Sequence, residues 1–111
     1  PSSGRNADPA DGPEGAPEHG YPSLSSSPNP FNPETEIFAR SEPGEVVTVS
    51  IYDVAGHSLC DLEARTDADG EARIRWSGSD RRGATLPSGV YLAVLKSGGR
   101  ILAKSKLVLA R

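Results

Sequence analysis

The chain has 111 residues and a net charge of −3, and it is 35% hydrophobic, 5% aromatic and 24% charged, with one Cys and no Met. Its longest uninterrupted apolar run, Val90 to Leu95, falls far short of the ~20 residues that a spanning helix needs. The lone Cys60 excludes a disulfide framework within the chain, and a pI of about 5.3 speaks against a nucleic-acid partner. The absence of Met reads as a processed chain or an excised piece, and no secretory signal pattern stands at the N-terminus.

Residues 1–27 read as a tail or linker. Pro, Gly and Ser fill 15 of those 27 positions, Tyr21 and Leu24 are the bulky apolar residues, and Arg5 stands against Asp8, Asp11, Glu14 and Glu18. Such a stretch buries too little apolar surface to offset its ordering entropy. Residues 28–111 balance 11 basic against 11 acidic side chains, hold nearly all the Val, Ile, Leu, Phe and Trp, and read as one folding unit.

Helical periodicity is nearly absent, and short strand patterns follow one another. Thr35 to Ser41 is the first, with Ile37 and Ala39 on one face. After the Pro43-Gly44 turn, Glu45 to Asp53 places Val47, Val49 and Ile51 on one face. Ala55-Gly56 breaks it. His57 to Ala64 follows, with Leu59 alternating against Cys60 and Leu62. Asp67-Ala68-Asp69-Gly70 is a turn, and Glu71 to Ser77 sets Ala72, Ile74 and Trp76 against Arg73 and Arg75. A loop from Gly78 to Ser88 leads to Gly89 to Lys96, the Ser97-Gly98-Gly99 hairpin and a last strand from Arg100 to Ala110. Six short strands with regular turn signals predict an all-β sandwich or barrel. The expected core is Ile37, Val47, Val49, Ile51, Leu59, Ile74, Trp76, Tyr91, Ala93, Leu95 and Leu107.

No constellation points to catalysis, and no cofactor or metal is expected. His19 lies in the tail. Cys60 and His57 are three apart, so a strand points them to opposite faces. Asp67-Ala68-Asp69-Gly70 has the spacing of a calcium loop but lacks its bidentate Glu, and reads as a turn. Arg81-Arg82 reads as a solvated loop tip. Lys104 and Lys106 share one face of the last strand, where Lys protects an exposed edge. Gly89 to Lys96 is apolar on both faces, which makes Leu92 and Val94 candidates for an interface.

Five phrases stand in a recognisable order: Ser27-Pro28-Asn29-Pro30-Phe31-Asn32-Pro33, Ile51-Tyr52-Asp53-Val54-Ala55-Gly56, Arg75-Trp76-Ser77-Gly78-Ser79-Asp80 with Gly83, Pro87-Ser88-Gly89-Val90-Tyr91, and Lys104-Ser105-Lys106-Leu107-Val108-Leu109. Over about residues 22–111 they resemble the Ig-like domain of the flagellar hook-capping protein family and the related C-terminal sorting domain of type IX secretion cargo. Ala55 and His57 depart from that pattern, where the family has Leu and Arg or Lys. The resemblance implies an Ig-like antiparallel β-sandwich of about six to seven strands after the Pro/Gly/Ser-rich tail. It also implies a non-enzymatic C-terminal module of a secreted bacterial surface protein, exported and attached at the outer cell surface. Gly89, Tyr91, Lys104 and Lys106 are then the residues that secretion machinery reads. The alternative is a structural subunit of an extracellular fibre, whose tail docks on a neighbouring copy.

Overall fold

The computed structural model describes residues 22–32 and 34–111. Seven strands form two antiparallel sheets: β1 (Ser23–Ser27), β2 (Thr35–Arg40), β3 (Val46–Tyr52), β4 (Ser58–Arg65), β5 (Glu71–Trp76), β6 (Gly89–Ser97) and β7 (Arg100–Leu109). The smaller sheet has the order β1-β2-β5 and the larger β4-β3-β6-β7. This is an Ig-like β-sandwich, and the six expected strands are all present. β1 is additional. It lies within the segment read as tail, and pairs along its whole length with β2 from Ser23↔Arg40 to Ser27↔Glu36. The expectations for residues 1–21, including His19 and tail docking, lie outside the described residues.

The core fills the space between the sheets, with Ile37, Val47, Val49, Ile51, Ala93, Leu95 and Leu107 fully sealed. Trp76 is its centre. Its ring lies 5.4 Å from Phe31 and 6.1 Å from Tyr91, tilted against the first and edge-on to the second. Its indole N–H donates to the Ser79 carbonyl at 2.9 Å. One core expectation holds in part. Cys60 is the sealed core residue of β4, because the register pairs Cys60 with the inward Ile51 and Leu62 with Val49. Leu59 stands at the bulge beside it, half-buried and packed against the core.

Three turns share one construction, Asp-x-x-Gly-x: Asp53 to His57, Asp67 to Glu71, and Asp80 to Ala84. In each, the Asp amide donates to the carbonyl of the fifth residue, and the Gly amide donates to the Asp carbonyl. One Asp Oδ1 accepts the amides of the third and fifth residues at 2.8–3.0 Å. The glycines have φ of 89°, 80° and 85°, which side chains resist. The carboxylate replaces a missing strand partner and closes the turn.

Glu45 ties the sheets beside the Asp67 turn. Its carboxylate accepts from the Ser41 hydroxyl, from Ser97 Oγ at 2.6 Å and from the Glu42 amide at 3.3 Å. These bonds, the Ser41 one foremost, hold its carboxyl below the ordinary value of 4.5. Asp53 and Asp67 are held below their ordinary 3.8, chiefly by the His57 and Glu71 amides. A carboxyl whose folded value is depressed stabilises the fold above its unfolded value, and that contribution is lost as pH falls through the folded one. The contribution of these groups to the urea midpoint therefore declines as pH drops from 4.5 through 3.8 and lower. Glu45→Gln shows a lower midpoint at pH 7 and a shallower decline in that window. An equal decline in both proteins refutes the role of Glu45.

Candidate functional site

The outward faces of the two sheets differ in kind. On the smaller sheet, Glu36, Phe38 and Arg40 of β2 lie beside Arg75, Arg73 and Glu71 of β5, and the Arg73 guanidinium covers the Phe38 ring at 5.7 Å. The larger sheet carries its apolar outward residues toward one end of its central strands, with Thr48, Ser50 and Lys96 toward the other. The exposed large apolar residues among those described are Val46, Val54, Val90, Leu92 and Ile101, and all five border its outer face. Four of them, with Tyr52, Val94, Lys96, Lys104 and Lys106, surround a groove of about 590 Å³.

The strand register explains the arrangement. Cross-strand rows run Asp61–Ser50–Val94–Lys104 and Tyr52–Leu92–Lys106. Because side chains alternate, Lys104 and Lys106 both point outward on β7, while Leu107 and Leu109 enter the core. The two Lys side chains are exposed and form no ion pair or hydrogen bond among the described residues. On the opposite edge, Asp61 accepts from the buried Ser50 hydroxyl at 2.6 Å, with Glu63 beyond it. Lys96 Nζ donates to the Tyr52 hydroxyl at 2.6 Å in the floor of the groove. The face thus carries Asp61 and Glu63 on β4, with Arg65 at the strand's end, a mixed middle in which Val90, Leu92 and Tyr52 stand beside Ser50, Thr48 and Lys96, and Lys104 and Lys106 on β7.

The expected interface pair divides here. Leu92 is 38% exposed, but Val94 is only 4% exposed. Tyr52, Lys96 and Lys104 share the groove with Val94, and their long side chains leave it little surface.

Gly89 is near-extended at φ 158°, with open space where a Cβ would stand. Tyr91 faces inward. Its hydroxyl donates to the Pro87 carbonyl at 2.5 Å, which anchors the loop before β6, and burial pushes its pKa up. Its ring is therefore part of the core, while Gly89 is half-exposed and Lys104 and Lys106 are fully on the surface.

Other sequence candidates are structural. Cys60 is in the core, where burial raises its thiol pKa, while His57 Nδ1 lies 3.1 Å from Asp53 Oδ2 on an exposed turn. The Asp67 carboxylate is occupied by amide donors of its own turn. Arg81 is not a free tip. Its amide donates to the Leu59 carbonyl at 3.0 Å, and its guanidinium reaches Ser58 Oγ at 3.0 Å, tying the loop to β4.

One device was not foreseen. Asn29 Nδ2 donates to the Lys106 carbonyl at 2.9 Å, and Asn29 Oδ1 accepts the Val108 amide at 2.9 Å. The side-chain amide thereby pairs with β7 as a strand residue would. Phe31 continues the pairing, with its amide on the Val108 carbonyl and its carbonyl accepting the Ala110 amide, both at 2.9 Å. This clasp covers the outer backbone edge of the end of β7. The signal for it in the sequence is an Asn between two Pro, neither of which has an amide to donate.

The model of the FlgD Ig-like domain family matches residues 34–99. No curated protein matches the chain. Among solved structures, dimeric latent PorU from Porphyromonas gingivalis is similar at 24% identity and a TM-score of 0.68, over 78% of this chain and 9% of PorU. PorZ, a surface component of the type-IX secretion system of the same bacterium, is similar at 19% identity and a TM-score of 0.53, over 79% of this chain and 11% of PorZ. The hook-capping FlgD of Xanthomonas campestris is similar at 22% identity and a TM-score of 0.51, over 79% of this chain and 66% of that protein. The chain spans about a tenth of PorU and PorZ, and these likenesses show a shared fold.

Proposed function

The chain belongs to the FlgD Ig-like domain family, and on that premise we propose that it is a non-enzymatic module of a secreted bacterial surface protein, read by type IX export machinery. The observation that carries this reading is the pair Lys104 and Lys106. They stand side by side on the exposed face of the last strand, unpaired among the described residues. Other cations are engaged within the fold: Arg65 on the Gly44 carbonyl, Arg111 on the Leu86 and Gly78 carbonyls, Lys96 on Tyr52. Unpaired cations on a rigid strand suit an acidic receptor surface, and they affect capture more than folding. The fold shared with PorU and PorZ supports the same reading.

The test fuses the whole chain to a periplasmic fluorescent reporter in a bacterium with type IX secretion. The reporter is expected at the cell surface or in the medium. Lys104→Glu with Lys106→Glu cuts export about tenfold or more, while the melting profile of the chain stays within about 0.5 kcal/mol of the parent, as for other surface changes. Retention of the parent fusion in the periplasm, or full export of the variant, overturns the proposal.

A further inference from the structure

We propose that the outer face of the four-stranded sheet is a self-complementary surface that pairs with the same face of a second copy of this chain. The inference does not depend on export and rests on two independent features of that face.

The first is segregation. The exposed large apolar residues among those described all border the outer face of one sheet, while the other sheet presents Glu, Arg and Ser to solvent, with its one large apolar side chain, Phe38, half-buried under Arg73. Scattered apolar residues need no explanation, but four of these, Val54, Val90, Leu92 and Ile101, line one groove with lysines at its rim, which marks a contact surface.

The second is charge order. β4 and β7 are the two edges of the sheet. Asp61 and Glu63 stand on the first, and Lys104 and Lys106 on the second. A two-fold axis in the plane of contact, parallel to the strands and midway between β3 and β6, lays β7 of one copy over β4 of the other. Such an isologous contact makes every pairing twice. Asp61 and Lys104 end the same cross-strand row, so the rotation brings Lys104 of each copy to Asp61 of the other. Leu92 meets Tyr52 of the second copy across the centre. Stacked sheets settle near 10 Å apart at a small angle, within reach of Lys and Asp side chains. A one-sign patch would repel its own copy, whereas this bipolar one attracts it.

Four strands at their usual spacing and about six residues of length give a face of roughly 400 Å² per copy. That lies in the small, transient class of interfaces, so the dimer is expected at high micromolar concentrations.

Sedimentation equilibrium of the full chain from about 10 μM to 1 mM, at low and high salt, reads the association. The expected mass climbs from one chain towards two, less steeply in high salt. Leu92→Glu holds the mass at one chain. Lys104→Glu and Asp61→Lys each weaken association about tenfold or more, since each creates two like-charge pairs. Mixed one to one, those two variants re-form opposite pairs on both sides, and association returns to within about threefold of the parent. Recovery on mixing cannot come from misfolded chains. A single-chain mass throughout overturns the proposal, as does failure of the mixture to recover. Binding of a strictly monomeric chain to vesicles of anionic lipid overturns it in favour of a membrane surface.

Discussion

Replacing Gly70 with alanine is expected to lower the unfolding free energy by about 3 kcal/mol or more. Two causes add. The residue has φ of +80°, and a Cβ there would stand 2.2 Å from the Ser41 carbonyl oxygen. The neighbour cannot retreat. The Ser41 amide donates to the Gly70 carbonyl at 2.8 Å, and its hydroxyl bonds Glu45. Gly56 is the internal control. Its φ is +89°, with nothing within 4 Å of a Cβ, so alanine there costs only the backbone term of about 1 kcal/mol. Urea midpoints of the two variants, taken side by side, isolate the close approach. Equal losses refute it.

Phe31→Ala is expected to cost about 3–5 kcal/mol, the range for emptying a large buried aromatic site. Phe31 is 1% exposed and packs on Trp76, while its backbone holds Val108 and Ala110. Asn29→Ala is expected to cost about 0.5–1.5 kcal/mol, because it strips solvent-accessible partners from Val108 and Lys106. The two losses are sub-additive, since either change frees the same edge. Hydrogen exchange supplies a local readout. The Val108 and Ala110 amides lose protection in both variants, and a strictly additive pair with unchanged exchange refutes the clasp.

Alternation made most of the fold legible. Glu71 to Ser77 opposes Ala72, Ile74 and Trp76 to arginines, and no other structure suits that pattern. β1 escaped because Ser23-Leu24-Ser25-Ser26-Ser27 offers one apolar side chain and no period. Its stability comes from main-chain pairing with β2, which local composition does not record. Alternation alone does not rank Leu59 against Cys60, because the bulge opposite Ile51 and Tyr52 sets the phase of β4 and makes Cys60 the sealed residue. The basic half of the outer face was readable, because Lys104 and Lys106 are neighbours in sequence. Its acidic half was not, because Asp61 meets Lys104 across one row only once the order β4-β3-β6-β7 is known. The shared Asp-x-x-Gly-x turns were partly visible as separate breaks, but their common closure lies in carboxylate-to-amide bonds.

The clasp also sets how the module bears force. Phe31 runs parallel to Leu109, so tension between the chain before Ser23 and the C-terminal end first loads the pairing of β1 with β2, and once that yields it pulls these two segments past each other lengthwise. The four bonds made by Asn29 and Phe31 then take the load together, in shear, and do not peel one by one. Forced unfolding is governed by the rate of opening and not by equilibrium stability. A tethered module built this way resists traction at its ends more than its modest core would imply.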